Sequence, residues 1–211
     1  MTDSCCGCGK AIDVRALEAR QRRVLVAVLA INLLTFLLMV AGAWYSRSSS
    51  LLSGALDNLG DALTYAMSLA VVGAGLQAKA RVALLKGVLI LGAAAAVAVQ
   101  IVWRLFHPAV PLFEGMGVIA LLNLGANLVC LKLLTPYRGG DINLASAWEC
   151  SRNDVYEGFA VLAAALGVWM FGTGWPDLLI AGVLLLLFLR SAWRVLGSAW
   201  REMKGDTATG Q

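Results

Sequence analysis

Apolar residues in this chain come in runs of about twenty, long enough for a helix to cross the hydrocarbon core of a bilayer. A backbone in lipid must satisfy its own hydrogen bonds, so runs of this length fold as a helical bundle. Six segments qualify: Val24–Trp44, Leu51–Leu76, Val82–Val102, Gly115–Leu134, Asn143–Phe171 and Trp175–Leu196. The sixth is the weakest, because its purely apolar stretch Leu178–Leu189 is short and Arg190 and Arg194 must snorkel to the interface. The connections are brief and rich in turn residues, as in His107–Pro111 and Gly172–Gly174. With 60% hydrophobic and 14% charged residues among 211, the composition excludes an ordinary soluble enzyme. The expected fold is an all-α integral membrane protein of six transmembrane helices.

Basic residues set the expected orientation. With the N-terminus in the cytoplasm, that side receives fourteen of the seventeen lysines and arginines. Arg47 and Arg104 fall on the other side and Arg152 lies inside the fifth span. Both termini are therefore expected in the cytoplasm of a multi-pass inner-membrane protein, and the net charge of +4 reads as a topology signal rather than a nucleic-acid footprint. The expected organisation is a cytoplasmic tail over residues 1–23, a membrane domain over 24–196 and a short cytoplasmic tail over 197–211. Ala41-Gly42-Ala43 imitates a signal-peptide cleavage site, but the apolar run before it is too long and starts too late.

Five acidic residues inside the spans carry the argument: Asp57 and Asp61 in the second, Glu149, Asp154 and Glu157 in the fifth. A charge near the centre of a membrane helix costs about 2.5–3.5 kcal/mol, so this grouping calls for a cation, a proton or water. Asp57 and Asp61 share one helix face at i, i+4, and the face continues through Ser53, Thr64 and Ser68. Cys150 and Asp154 repeat the spacing, with Glu157 on the same face, while Glu149 and Arg152 at i, i+3 read as a compensating ion pair. Counting along two antiparallel helices puts both clusters near mid-membrane, with Asp57 expected opposite Asp154 and Asp61 opposite Cys150. Three carboxylates and a thiolate make a four-ligand site suited to a tetrahedral divalent metal such as zinc or cadmium.

These motifs resemble those of the cation diffusion facilitators, which export divalent metals. The second span opens on Ser50-Leu51-Leu52 and carries Asp57 and Asp61; the fifth runs from Asn143 through Ala145, Ser146 and Ala147 to Cys150 and Asp154. The resemblance covers roughly Arg15 to Leu196. It implies a secondary transporter, not an enzyme, that moves a divalent cation out of the cytosol in exchange for protons, with Asp57, Asp61, Cys150 and Asp154 as ligands. Cysteine stands at 150 where the family usually has histidine, a softer donor that favours thiophilic metals. The chain reads as a short form without the family's C-terminal cytosolic domain, so a homodimer is expected to form through the spans.

Cys5, Cys6 and Cys8 form a cluster on the N-terminal tail that could capture a soft metal, an accessory role shared with Glu157 on the proton or metal path. His107 reads as an interfacial loop residue, Cys130 as apolar packing, and Asn32, Asn123 and Asn127 as interhelical hydrogen-bond residues. Trp44, Trp103, Trp175 and Trp200 fall near span ends, as interfacial anchors should. No Gly-x-x-x-x-Gly-Lys-Ser/Thr loop supports an ATP-driven pump. Two alternatives stand beside transport: a metal-responsive membrane sensor or accessory protein, and an intramembrane aspartyl protease, for which the Tyr-Asp and Gly-x-Gly-Asp contexts are absent.

Overall fold

A computed structural model describes residues 19–70, 76–138 and 142–208, with some side chains at the helix ends excepted. Six helices occupy almost all of this: α1 Ala19–Ser46, α2 Ser49–Ala70, α3 Leu76–Phe106, α4 Phe113–Leu134, α5 Ile142–Phe171 and α6 Trp175–Ala208. A single 3-10 turn, Thr135–Tyr137, follows α4, and Pro136 inside it prevents the α-helix from continuing. No strand occurs among the described residues. The sixth helix runs on to Ala208, twelve residues beyond the Leu196 limit of the expected span.

Among the described residues, four helices are long and apolar enough by themselves to cross a membrane: α1, α3, α4 and α5. The second helix is short of apolar residues because its inward face carries Ser49, Ser50, Ser53, Asp57, Asn58, Asp61 and Thr64. A helix so polar on one side can sit in lipid only when neighbours cover that side. Here α1, α3, α5 and α6 all pack around α2. The outward surface is apolar, with Leu34, Leu37, Val99, Leu121 and Leu186 exposed where lipid would lie.

Trp44, Tyr45, Trp103, Phe106, Phe171 and Trp175 are exposed at one end of the bundle, the arrangement of an interfacial aromatic belt. His107 stacks on Trp103 at that level, ring centroids 3.9 Å apart, in keeping with an interfacial loop residue. The loops there are tied together. Leu112 N–H donates to the Ser46 carbonyl at 2.9 Å, and Arg104 donates to the Arg47 carbonyl at 2.7 Å. Arg47 holds a left-handed φ of 56°, uncommon for a residue with a side chain, in the tight turn that reverses α1 into α2.

The firmest tie at this end is made by Asp177, in the first turn of α6. Its carboxylate accepts from Ser48 Oγ (2.7 Å), Ser49 N (2.7 Å), Ser50 N (3.0 Å) and Ser50 Oγ (2.6 Å), and the residue is only 1% exposed. The first N–H groups of a helix have no partner within it and carry the positive end of its dipole. Asp177 therefore caps α2 from another helix and fixes the height of the segment that carries Asp57 and Asp61.

Close approach of α1 and α4 depends on Gly42, where an added Cβ would lie 2.7 Å from Ile119 Cγ1. Gly42→Val is expected to lower stability by about 1–3 kcal/mol by forcing those helices apart. Thermal unfolding of the detergent-solubilised protein would register it, and an unchanged midpoint would show that Ile119 moves aside freely.

Candidate metal site at the centre of the bundle

The polar stripe of α2 meets the acidic face of α5 in the middle of the bundle. Asp61 and Asp154 each stand twelve residues from the start of their helix, about 18 Å along the axis. The axial register can be read from packing: a Cβ added at Gly54 would meet Met39 Cε at 3.0 Å and lie in ordinary contact, 3.6 Å, with Val161 Cγ2 of α5. One and two turns further along α2, this register brings Asp57 to Glu157 and Asp61 to Asp154. Asp57 and Glu157 share a side-chain hydrogen bond, and Asp154 lies within electrostatic reach of both Asp61 and Asp57.

The pairing differs by about one helical turn from the one obtained by counting from span ends. Counting expected Asp57 opposite Asp154 and Asp61 opposite Cys150. In the structure Glu157 takes the place across from Asp57, and the level of Cys150 is that of Thr64 and Tyr65. Tyr65 is almost wholly buried, and its hydroxyl donates to Asp61 Oδ2 at 3.3 Å. Cys150 is itself buried and is disulfide-bonded, so its sulfur is not a thiolate in this state.

Two carboxyl groups can share a hydrogen bond only if one of them holds a proton, since a carboxylate has none to donate. The Asp57–Glu157 contact is thus one that a single protonated carboxyl can bridge. Asp154 is 7% exposed, and its Oδ2 has no hydrogen-bond partner. Such an orphaned buried oxygen is expensive unless something positive visits it. Among the described residues, no three histidine, cysteine, aspartate or glutamate side chains converge closely enough to hold a metal. The carboxylates are instead engaged with one another and with Tyr65.

The fourth helix supplies amides to the same interior. Asn58 of α2 donates to Asn123 Oδ1 at 3.0 Å and to Met39 Sδ at 3.1 Å, linking α2 to α4 and α1. Asn123 is thus an interhelical hydrogen-bond residue, as read from the sequence. Asn32 instead turns its amide back to the Val28 carbonyl of its own helix at 3.0 Å, and Asn127 leaves its Oδ1 unpaired. Arg152 does not pair with Glu149; its guanidinium lies over the Trp148 ring, 5.3 Å from the centroid. The Cys5, Cys6 and Cys8 cluster lies outside the described residues.

Sequence reasoning passed over Asp177 and Tyr65. The signal for Asp177 was the run Ser48-Ser49-Ser50 at a helix start, three donors in sequence that need an acceptor. The signal for Tyr65 was its place four residues after Asp61, continuing the i, i+4 series from Asp57.

The fold defines a multi-pass membrane protein with acidic side chains buried in its interior. Residues 25–203 match the family described as the cation efflux transmembrane domain. The chain belongs to this family, the cation diffusion facilitators, whose members are transporters rather than enzymes. It is 26% identical over 178 residues to the metal cation efflux system protein CzcD of Cupriavidus metallidurans, covering 78% of this chain and 56% of that protein. The same figures hold for the cation efflux system protein CzcD of an Alcaligenes species, strain CT14. The chain thus spans a little over half the length of the curated relatives it matches.

Proposed function

We propose that this protein is a secondary transporter that carries a divalent transition-metal cation, zinc or cadmium, out of the cytosol in exchange for protons. In this reading both termini are cytoplasmic, and the protein works as a homodimer in the bilayer. Asp57, Asp61, Asp154 and reduced Cys150 hold the metal in turn with protons, and Glu157 takes part in the proton path. The observation that carries the reading is the opposition of Asp61 and Asp154 at mid-bundle, with an unpaired Asp154 oxygen near the hydrogen-bonded Asp57–Glu157 pair, which in this reading shares a proton. The efflux role in the relatives' names agrees with it.

The mechanism is competition for the same atoms. A metal needs deprotonated ligands, so its binding displaces protons, and an acidic exterior returns them and expels the metal. Uptake should therefore strengthen as pH rises on the loading side and weaken as it falls. Alternating access would be a rocking of helices about this fixed level. A sensor or accessory protein would bind metal with the same residues yet move none across the membrane.

Metal-driven proton flux in proteoliposomes, measured for zinc, cadmium, cobalt, mercury and manganese, tests the proposal. Flux that saturates with metal and reverses with the imposed pH gradient is expected; bound metal without flux would point to the sensor. In the same assay, Cys150→His should lower the preference for cadmium over zinc by roughly tenfold, because imidazole is a harder donor than thiolate. An unchanged metal ranking would contradict the role given to that sulfur.

The shared proton gives a separate prediction. Glu157→Gln can still donate to Asp57 but has no acidic proton, so the number of protons released per metal bound should fall by about one. Calorimetric titrations in buffers of different ionisation enthalpy count those protons, and an unchanged count would remove Glu157 from the path.

A further inference from the structure

Where α4 meets α5 the bundle holds a group of buried donors of which the transport cycle described above uses only Asp154. Asn127 is 1% exposed with Oδ1 unpaired, Ser151 is 0% exposed with Oγ unpaired, and Asp154 Oδ2 is likewise unpaired. Cys130, a free thiol, is buried one helical turn from Asn127.

The register of α4 against α5 brings these groups to one level. An added Cβ at Gly158 would meet Leu124 Cδ1 at 3.1 Å, and Trp148 Nε1 donates to Thr135 Oγ1 at 3.3 Å. Between these two ties the antiparallel helices run together, so Asn127, three residues after Leu124, comes level with Asp154, four residues before Gly158. Cys130 and Ser151 follow one turn further along. Cys130 packs in one cluster with Tyr65 and Ala147, and Tyr65 is the residue that reaches Asp61. The thiol lies within electrostatic reach of Asp154 and Asp61.

We propose that Asn127 and Cys130 of α4, with Ser151 and the free oxygen of Asp154 from α5, form a second binding position for a soft divalent cation beside the acidic site. The donor set supports this choice. One sulfur with amide, hydroxyl and carboxylate oxygens is a mixed set suited to cadmium or zinc, and the thiol proton leaves as the metal binds. A merely structural role would pair these oxygens with one another or with backbone, because unpaired buried acceptors are destabilising. The position lies on the side of Asp154 away from Gly158, where it can hold the cation one step before or after Asp61. The inference deepens the proposed function and rests on it for the role, though not for the binding.

The test is cadmium titration of the purified full chain in detergent, carrying Cys5→Ser, Cys6→Ser, Cys8→Ser and Cys150→Ser so that Cys130 is the remaining thiol. A cadmium–thiolate charge-transfer band saturating at one equivalent is expected. It should vanish with Cys130→Ala, shift to at least about tenfold weaker binding with Asn127→Ala, and tighten with Asn127→Asp. No band in the serine background, or an affinity that both Asn127 substitutions leave unchanged, would overturn the proposal. Metal flux through the otherwise unaltered protein separates the two readings. Loss of the band with flux intact removes this position alone, whereas a band without flux removes transport and leaves the position standing.

Discussion

Replacing Asp154 by alanine is expected to lower metal flux more than about 100-fold while leaving the helical bundle assembled. Asp61→Ala should do the same. The two carboxylates lie within electrostatic reach of each other where α2 packs on α5, and Asp154 keeps an unpaired oxygen there. In the proposed four-ligand site, losing one anionic ligand would remove a large share of the metal's binding free energy and one of the exchanged protons. Helix content and monodispersity should survive, because alanine suits a helix interior and no buried partner depends on Asp154 Oδ2. Asp57→Ala should act differently. Its carboxyl is hydrogen-bonded to Glu157, so the loss would strand Glu157 and alter proton counting as well as flux.

The second large effect is on stability. Asp177→Ala would leave the Ser49 and Ser50 N–H groups and the Ser48 and Ser50 hydroxyls without their shared acceptor inside a buried turn. Each such group costs about 1–3 kcal/mol when stranded, and loss of a helix cap about 1 kcal/mol; with partial rearrangement a net loss of about 3 kcal/mol or more is expected. Asp177→Asn keeps an acceptor oxygen and should recover part of it. Denaturation of the purified protein in mixed micelles measures the difference. A change below about 0.5 kcal/mol for the alanine variant would mean that the serine run finds other partners.

The bundle was legible in the sequence because lipid leaves so few alternatives. Runs such as Val24–Trp44 and Gly115–Leu134 read directly as helices, and the structure extends them by a few residues to α1 and α4. The acidic faces were legible too, since i, i+4 spacing fixes which side chains share a helix face. The axial register was not. Counting from span ends treats every loop as lying at the same height, whereas α1 reverses into α2 through a two-residue turn and α2 is then held by Asp177. A slip of one turn is only ~5.4 Å along the axis, yet it exchanges Glu157 for Asp154 as the partner of Asp57. Arg152 shows the same limit: i, i+3 spacing allowed an ion pair with Glu149, but the Trp148 ring offered the guanidinium a closer surface. Tyr65 was obscured because an aromatic residue four positions after an aspartate reads equally well as core.

Most of what is proposed turns on one physical statement, that the interior carboxylates hold metal and protons by turns. The direct measurement is metal uptake into proteoliposomes under an imposed pH gradient, with the acid inside and metal outside, for the unaltered protein and for Asp154→Ala. Uptake that rises with the steepness of the gradient, collapses when the gradient is dissolved and is absent in the variant is the expected result. Full uptake by Asp154→Ala, or uptake indifferent to the gradient, would contradict it.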